Sequence, residues 1–114
     1  MIDLTHVLAG PFAAYQLAVL GADVIKVENP ADYDQSRHTG NNLELNRRDM
    51  GTNYLAQNSN KRAITLNLKT EKGRDILRQM AKDADVLMEN YRAGSFNALG
   101  SYFDGKVRTS LGLS

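Results

Sequence analysis

Three polar segments carry side chains able to hold an anion or handle a proton: His6-Val7-Leu8-Ala9-Gly10, Glu28-Asn29 and Glu89-Asn90-Tyr91-Arg92. Each follows a run that reads as a β-strand, so in a parallel sheet all three reach the carboxyl edge. Helix N-termini reach the same edge, where unpaired N–H groups and the helix dipole favour negative charge. Binding of an anionic ligand such as a phosphate is the chemistry this suggests. The first turn holds one glycine and no G-x-G-x-x-G, so the dinucleotide fingerprint is absent. Many unrelated proteins share such an edge, and by itself it does not fix a ligand.

Other polar groups read as ordinary surface chemistry. Asn58-Ser59-Asn60-Lys61-Arg62 reads as a solvated turn with a local Asn cap, and Lys69 as a solvent-facing residue just past a strand. Asp34-Gln35-Ser36-Arg37 reads as an exposed local ion pair, a type worth about 0–1 kcal/mol. His6 reads as a hydrogen-bonded structural histidine, and His38 has no metal partner at ligand spacing. No Ser-His-Asp, Walker A or paired-carboxylate pattern can be read.

The elements that must position these groups alternate between strand and helix. Met1 to Leu4 reads as a short strand, and Pro11 suits the first position of the helix that follows. Phe12, Tyr15 and Val19, with Leu17 and Leu20, give helical spacing and are expected in the core; Gly21 stands where a C-cap is wanted. Asp23 to Glu28 reads as a strand closed by Asn29-Pro30, and so short a crossover implies parallel pairing. Asn29 to Asn60 shows no period beyond a helical turn near Tyr54-Leu55-Ala56. Arg62 to Leu68 alternates as a strand. Thr70 is a good N-cap for a helix whose apolar stripe is Ile76, Leu77, Met80 and Ala84. Val86-Leu87-Met88 reads as a strand buried on both faces. Residues 101–114 give neither period and are expected to be a tail outside the fold. The pattern specifies an α/β, doubly wound, mostly parallel sheet of Rossmann-like type.

The composition narrows the classes further. The chain has 114 residues, 42% hydrophobic and 24% charged, with a formal net charge of +1. That balance excludes a broad polycation seeking nucleic acid or anionic membrane. There is no cysteine, which excludes disulfide scaffolds, thiolate metal sites and thiol nucleophiles and favours an intracellular setting. The first six residues lack the basic n-region of a signal peptide, and the longest apolar stretch, Phe12 to Ala22, is too short to span a bilayer. A cytoplasmic location is expected.

The order of the segments says more than any one of them. Asp3-Leu4-Thr5-His6-Val7-Leu8-Ala9-Gly10-Pro11, then Leu20 to Glu28, resembles the opening of the class III coenzyme A transferases, the CaiB/BaiF family. The resemblance continues through Asp34 and Arg37, Asn60 to Thr70, Ala84 to Gly94, and Leu99-Gly100. It covers about residues 1–100, in order and at the right spacing. It implies a Rossmann-like coenzyme A-binding region in a homodimer of interlocked subunits. Acyl-CoA and a small carboxylic acid would be substrates, with no tightly held cofactor. Carried over position by position, Val7 would lie near the pantetheine arm, Leu66 against adenine and Lys69 near the adenosine phosphates. Asn90 and Tyr91 would line the path to the thioester.

Two arginines found in some members are Asn29 and Ala98 in this sequence, which would weaken phosphate contact. The family's nucleophilic aspartate lies beyond the region covered, so the resemblance implies a fragment without the catalytic residue, inactive alone. Two other readings stand beside coenzyme A transfer: α-methylacyl-CoA racemisation on the same fold, and a non-catalytic coenzyme A-binding or oligomerisation module. A fragment is also expected to leave one sheet edge and Val86–Met88 incompletely covered.

Overall fold

The computed structural model describes residues 1–90 and the backbone of residues 107–110. Strands β1 (Ile2–Asp3), β2 (Ile25–Glu28), β3 (Arg62–Thr65), β4 (Val86–Glu89) and β5 (Val107–Ser110) form one sheet in the order β3-β2-β1-β4-β5. Every pairing is parallel, and Ile2 stands opposite both Ile25 and Leu87. The sheet is the α/β, doubly wound, Rossmann-like one that the sequence specifies. The chain steps outward from β1 to β3 and then crosses back to β4. Folds of this kind bind ligands at that reversal, outside the carboxyl ends of the two central strands.

Strand alternation gives the sheet two unlike faces. Ile2, Leu4, Val27, Leu66 and Leu87 form one core with Leu77 and Ala81 of helix α4 (Glu71–Asp83). Asp3, Thr5, Lys26 and Glu28 share the other face, all buried, beneath helix α1 (Ala9–Val19) and the segment that follows β2. The α4 side follows the expected logic. Thr70 Oγ1 accepts from Gly73 N at 3.1 Å as N-cap, and Leu77 is 1% exposed.

Helix α1 departs from expectation. Its buried residues are Gly10, Pro11, Ala14 and Ala18, while Phe12, Leu17, Val19 and Leu20 are exposed, so the large apolar stripe is not core. Close approach explains the inversion. Ala14 and Ala18 pack directly on Val24 and Met88, and a Cβ at Gly10 would overlap the Thr5 side chain. Only small side chains fit between this helix and the sheet. Pro11 lies in the first turn and does not open the helix, a position where its missing N–H is equally harmless. The C-terminus is the expected glycine cap: Gly21 has φ +107°, its N–H reaches Ala18 O at 3.1 Å, and Ala22 N reaches Leu17 O at 3.0 Å, a Schellman arrangement.

Three further expectations are corrected. The Asn29–Asn60 excursion is not irregular: it holds a 3-10 turn (Gln35–His38) and helices α2 (Leu43–Arg47) and α3 (Thr52–Asn58). Each is too short to show a period, and side-chain caps from Asp34 to Ser36 N and from Asn42 to Leu45 N start the first two. β3 stops at Thr65, short of Leu68. Residues 107–110, expected in a tail, pair with β4 in register Val86 to Val107. β4 is therefore an interior strand, with Leu87 and Met88 buried; among the described residues the open sheet edge is β3, joined by the outer side of α1.

Candidate functional site

Because all strands run the same way, the segments after β1, β2, β3 and β4 share one carboxyl rim. Val7 follows β1 and is 45% exposed. Asn90 follows β4 and donates from Nδ2 to His6 O at 3.3 Å, bridging the two central strands at the reversal point. Leu66 and Lys69 follow β3, two strands from Val7, or about 10 Å at ordinary strand spacing. Lys69 is exposed at the entrance to α4. Leu66 shows only 9% of its surface, because its side chain belongs to the core beneath α4; the rim beside it is made by Asn67 and Lys69, both exposed. Tyr91 and Ala98 lie outside the described residues. Val7, Lys69 and Asn90 thus stand on one edge of the molecule.

Beneath that rim lies a network of buried charges. Lys26 Nζ, fully buried, donates to Thr5 O at 2.9 Å and pairs with Asp34 Oδ2 at 2.8 Å. Asp34 Oδ1 accepts from Val7 N at 3.1 Å, Ser36 N at 3.0 Å and Ser36 Oγ at 2.8 Å. Glu28 accepts from Asp34 N and takes a bidentate grip from Arg37, whose Nη2 lies 2.6 Å from Oε1. Arg37 stacks 3.8 Å from the Tyr54 ring centre and donates to its hydroxyl. Lys61 Nζ satisfies its three protons on Asp3 Oδ2, Pro11 O and Asn58 Oδ1, at 2.8, 2.9 and 2.8 Å. Asp3 Oδ1 in turn accepts from Thr5 N and Thr5 Oγ1.

The electrostatics follow from this arrangement. Burial alone would raise the Asp34 carboxyl, but the Lys26 charge and the hydrogen bonds from Lys26 and Ser36 outweigh it and bring it down to about 2. Burial likewise works against ionised Glu28, and Arg37 with the Asp34 N–H outweighs it, leaving Glu28 below the usual carboxylate value. Burial lowers Lys61, partly opposed by Asp3, and pushes Tyr54 up to about 12. The cations Lys26, Arg37 and Lys61 thus face the carboxylates of Asp34, Glu28 and Asp3 one to one.

Two surface readings of the sequence are therefore corrected. Asp34 and Arg37 form no exposed local pair; they bind different strand residues, Lys26 and Glu28. Asn58–Arg62 is not simply a solvated turn, since the Lys61 side chain is 1% exposed and bound to Asp3. A signal for the first was present. A parallel strand with neighbours on either side is buried on both faces, so the alternating Lys26 and Glu28 had to meet opposite charges somewhere.

Val7 is the strained member of the rim. Its φ of +72° lies in the left-handed region, rare for a β-branched residue and costing about 1–3 kcal/mol. The Asp34 carboxylate on its N–H and Lys26 on the preceding Thr5 carbonyl hold it there. An open cleft of about 610 Å³ lies elsewhere, beside β3, lined by Glu28, Tyr33, Arg37, Asp49 and residues 63–65. None of Val7, Leu66, Lys69 or Asn90 lines it. No helix among the described residues is long and apolar enough to cross a membrane.

Comparison with known proteins decides the family. Residues 1–106 match CoA-transferase family III. The chain belongs to that family. It is 44% identical over 100 residues to a succinyl-CoA:glutarate CoA-transferase of Homo sapiens, covering 88% of this chain and 22% of the relative. It is 41% identical over 105 residues to a formyl-CoA:oxalate CoA-transferase of Streptomyces avermitilis, covering 91% of this chain and 24% of that one. A CAIB/BAIF family protein from Brucella suis superposes with a TM-score of 0.75 at 36% identity, over 88% of this chain and 26% of that structure. The family III chain thus spans about a quarter of the length of these relatives.

Proposed function

We propose that the intact protein moves coenzyme A between carboxylic acids, and that residues 1–100 of this chain supply part of its coenzyme-binding region. Membership of CoA-transferase family III over residues 1–106 carries this reading. Acyl-CoA and a small carboxylic acid are the proposed substrates, and the interlocked homodimer implied by the resemblance belongs to the same proposal.

The rim suits such a ligand. Coenzyme A ends in an adenosine bearing several phosphate charges and continues as a long, neutral pantetheine arm. Lys69, exposed at the positive end of α4, offers the phosphates a cation and helix N–H groups. Leu66 and the residues after it would border the adenine. The Val7 turn is assigned to the arm, and Asn90 with Tyr91 to the approach to the thioester. The chemistry of transfer would come from outside these residues, by attack of a carboxylate on the acyl-CoA carbonyl, which breaks the C–S bond and releases coenzyme A as its thiolate.

Two measurements test the proposal. Calorimetric titration of the 114-residue chain is expected to show coenzyme A binding, weaker binding of pantetheine, and loss of affinity with added salt as Lys69 is screened. No heat and no change in the amide spectrum at millimolar coenzyme A would refute a binding role for this chain. The intact protein, given an acyl-CoA and candidate acceptor acids, is expected to exchange coenzyme A. Deuterium entering the α-carbon without exchange would replace transfer by racemisation.

A further inference from the structure

The charges beneath the rim do more than fill the face under α1. The β1–α1 turn, Thr5 to Leu8, is the part of the rim nearest the reversal point, and beside Asp3 and Asn90 its backbone is held by two fully buried side chains from β2 and the segment after it. Lys26 Nζ fixes the Thr5 carbonyl, and Asp34 Oδ1 fixes the Val7 N–H. These two side chains also bind each other at 2.8 Å, both fully buried. Ser36 donates twice to the same Asp34 oxygen, and Glu28 takes the Asp34 N–H, so the carboxylate has little freedom to rotate. At the centre of this grip, Val7 adopts a conformation that a β-branched residue avoids.

We propose that the Lys26–Asp34 pair is a positioning device that holds the Val7 turn in its left-handed form, the form in which it receives the pantetheine arm of coenzyme A. The inference rests on the coenzyme-binding reading above and adds to it a cause for the strain. Neither Lys26 nor Asp34 touches the ligand; both act through the Thr5 carbonyl and the Val7 amide. With the grip removed, the turn relaxes to an extended or right-handed conformation and coenzyme A must restore it on binding. Affinity then falls by the fraction of molecules already in the competent form. A glycine at position 7 visits the left-handed region freely, so the grip matters less there.

The test is a double-mutant cycle on coenzyme A affinity, read by calorimetry on the 114-residue chain. Asp34→Asn is expected to weaken binding about tenfold, the equivalent of holding one non-glycine residue left-handed. In a Val7→Gly background the same change is expected to weaken it less than about threefold. Asp34→Asn leaves Lys26 buried without a full partner and can fail to fold. The combined Lys26→Met, Asp34→Leu variant removes both charges and the acceptor together, a replacement that buried pairs often tolerate. It is expected to show the same dependence on position 7. Leu77→Ala, on the opposite face, lowers stability but is expected to leave the affinity of the folded chain unchanged, which separates positioning from general destabilisation. Equal losses with and without the Val7→Gly change, or no loss in either background, overturn the positioning role while leaving coenzyme binding intact. A wild-type chain that binds no coenzyme A overturns the binding reading, and this inference with it.

Discussion

The two faces of the sheet are buried with opposite chemistry. Under α4, Leu77 and Ala81 meet Ile2, Leu4, Val27, Leu66 and Leu87; the contacts are apolar and non-directional, and a volume-conserving exchange would change little. Under α1 and α3, the same strands present Asp3, Thr5, Lys26 and Glu28, and each group points at a particular partner. The apolar face supplies cohesion. The charged face fixes where loops go, because a buried ion without its counterpart is costly. That distinction explains why the Val7 turn is held from the charged side, by Asp34 and Lys26.

The sharpest way to break the comparison is to remove one partner on each face. Lys61→Ala leaves Asp3 buried and unpaired and is expected to cost about 4 kcal/mol in urea unfolding, in the range for a broken buried pair. Leu77→Ala on the apolar face is expected to cost about 3 kcal/mol, from lost transfer energy plus the cavity. An equal or larger loss for Leu77→Ala would show that cohesion, not pairing, dominates both faces.

Acid sharpens the contrast without mutation. The folded Asp34 carboxyl lies at about 2, below its ordinary 3.8. Its contribution is therefore complete above pH 4 and is lost as pH falls from about 4 to 2. The expected loss is about 2 kcal/mol, the linkage equivalent of that shift. Glu28, also lowered, adds to it in the same direction. Urea midpoints that stay flat between pH 5 and 2 would contradict the pairing described for Asp34. The smallest effect is expected for Asp23→Asn. Its partner Arg62 is 2.6 Å away, but the two side chains are 71% and 68% exposed, so the stability change should stay within about 0.5 kcal/mol.

The apolar face was the legible one. Leu77, Met80 and Ala84 of the expected α4 stripe, though not Ile76, which is 38% exposed, the Thr70 cap and the β4 run could be read from period and residue type. The charged face was harder to read, since Lys61 finds Asp3 across 58 positions and Asp34 finds Val7 across 27, and no local period encodes such pairs. Helix α1 misled for a related reason. Its apolar spacing is genuine, but the choice of which side faces the sheet was made by Gly10, Ala14 and Ala18, whose small size only matters once a close neighbour is known. The parallel topology places Val7, Lys69 and Asn90 on one edge, and their part in coenzyme binding is the proposal above.

The inside-out character of α1 carries a practical lesson for protein engineering. Someone wishing to raise the solubility of this chain would ordinarily leave a helix's bulky apolar residues alone and decorate its alanines. Here the sensible sites for recolouring with glutamate or lysine are Phe12, Val19 and Leu20, which are 51%, 55% and 83% exposed. Ala14 and Ala18, innocuous on paper, are the residues that cannot grow.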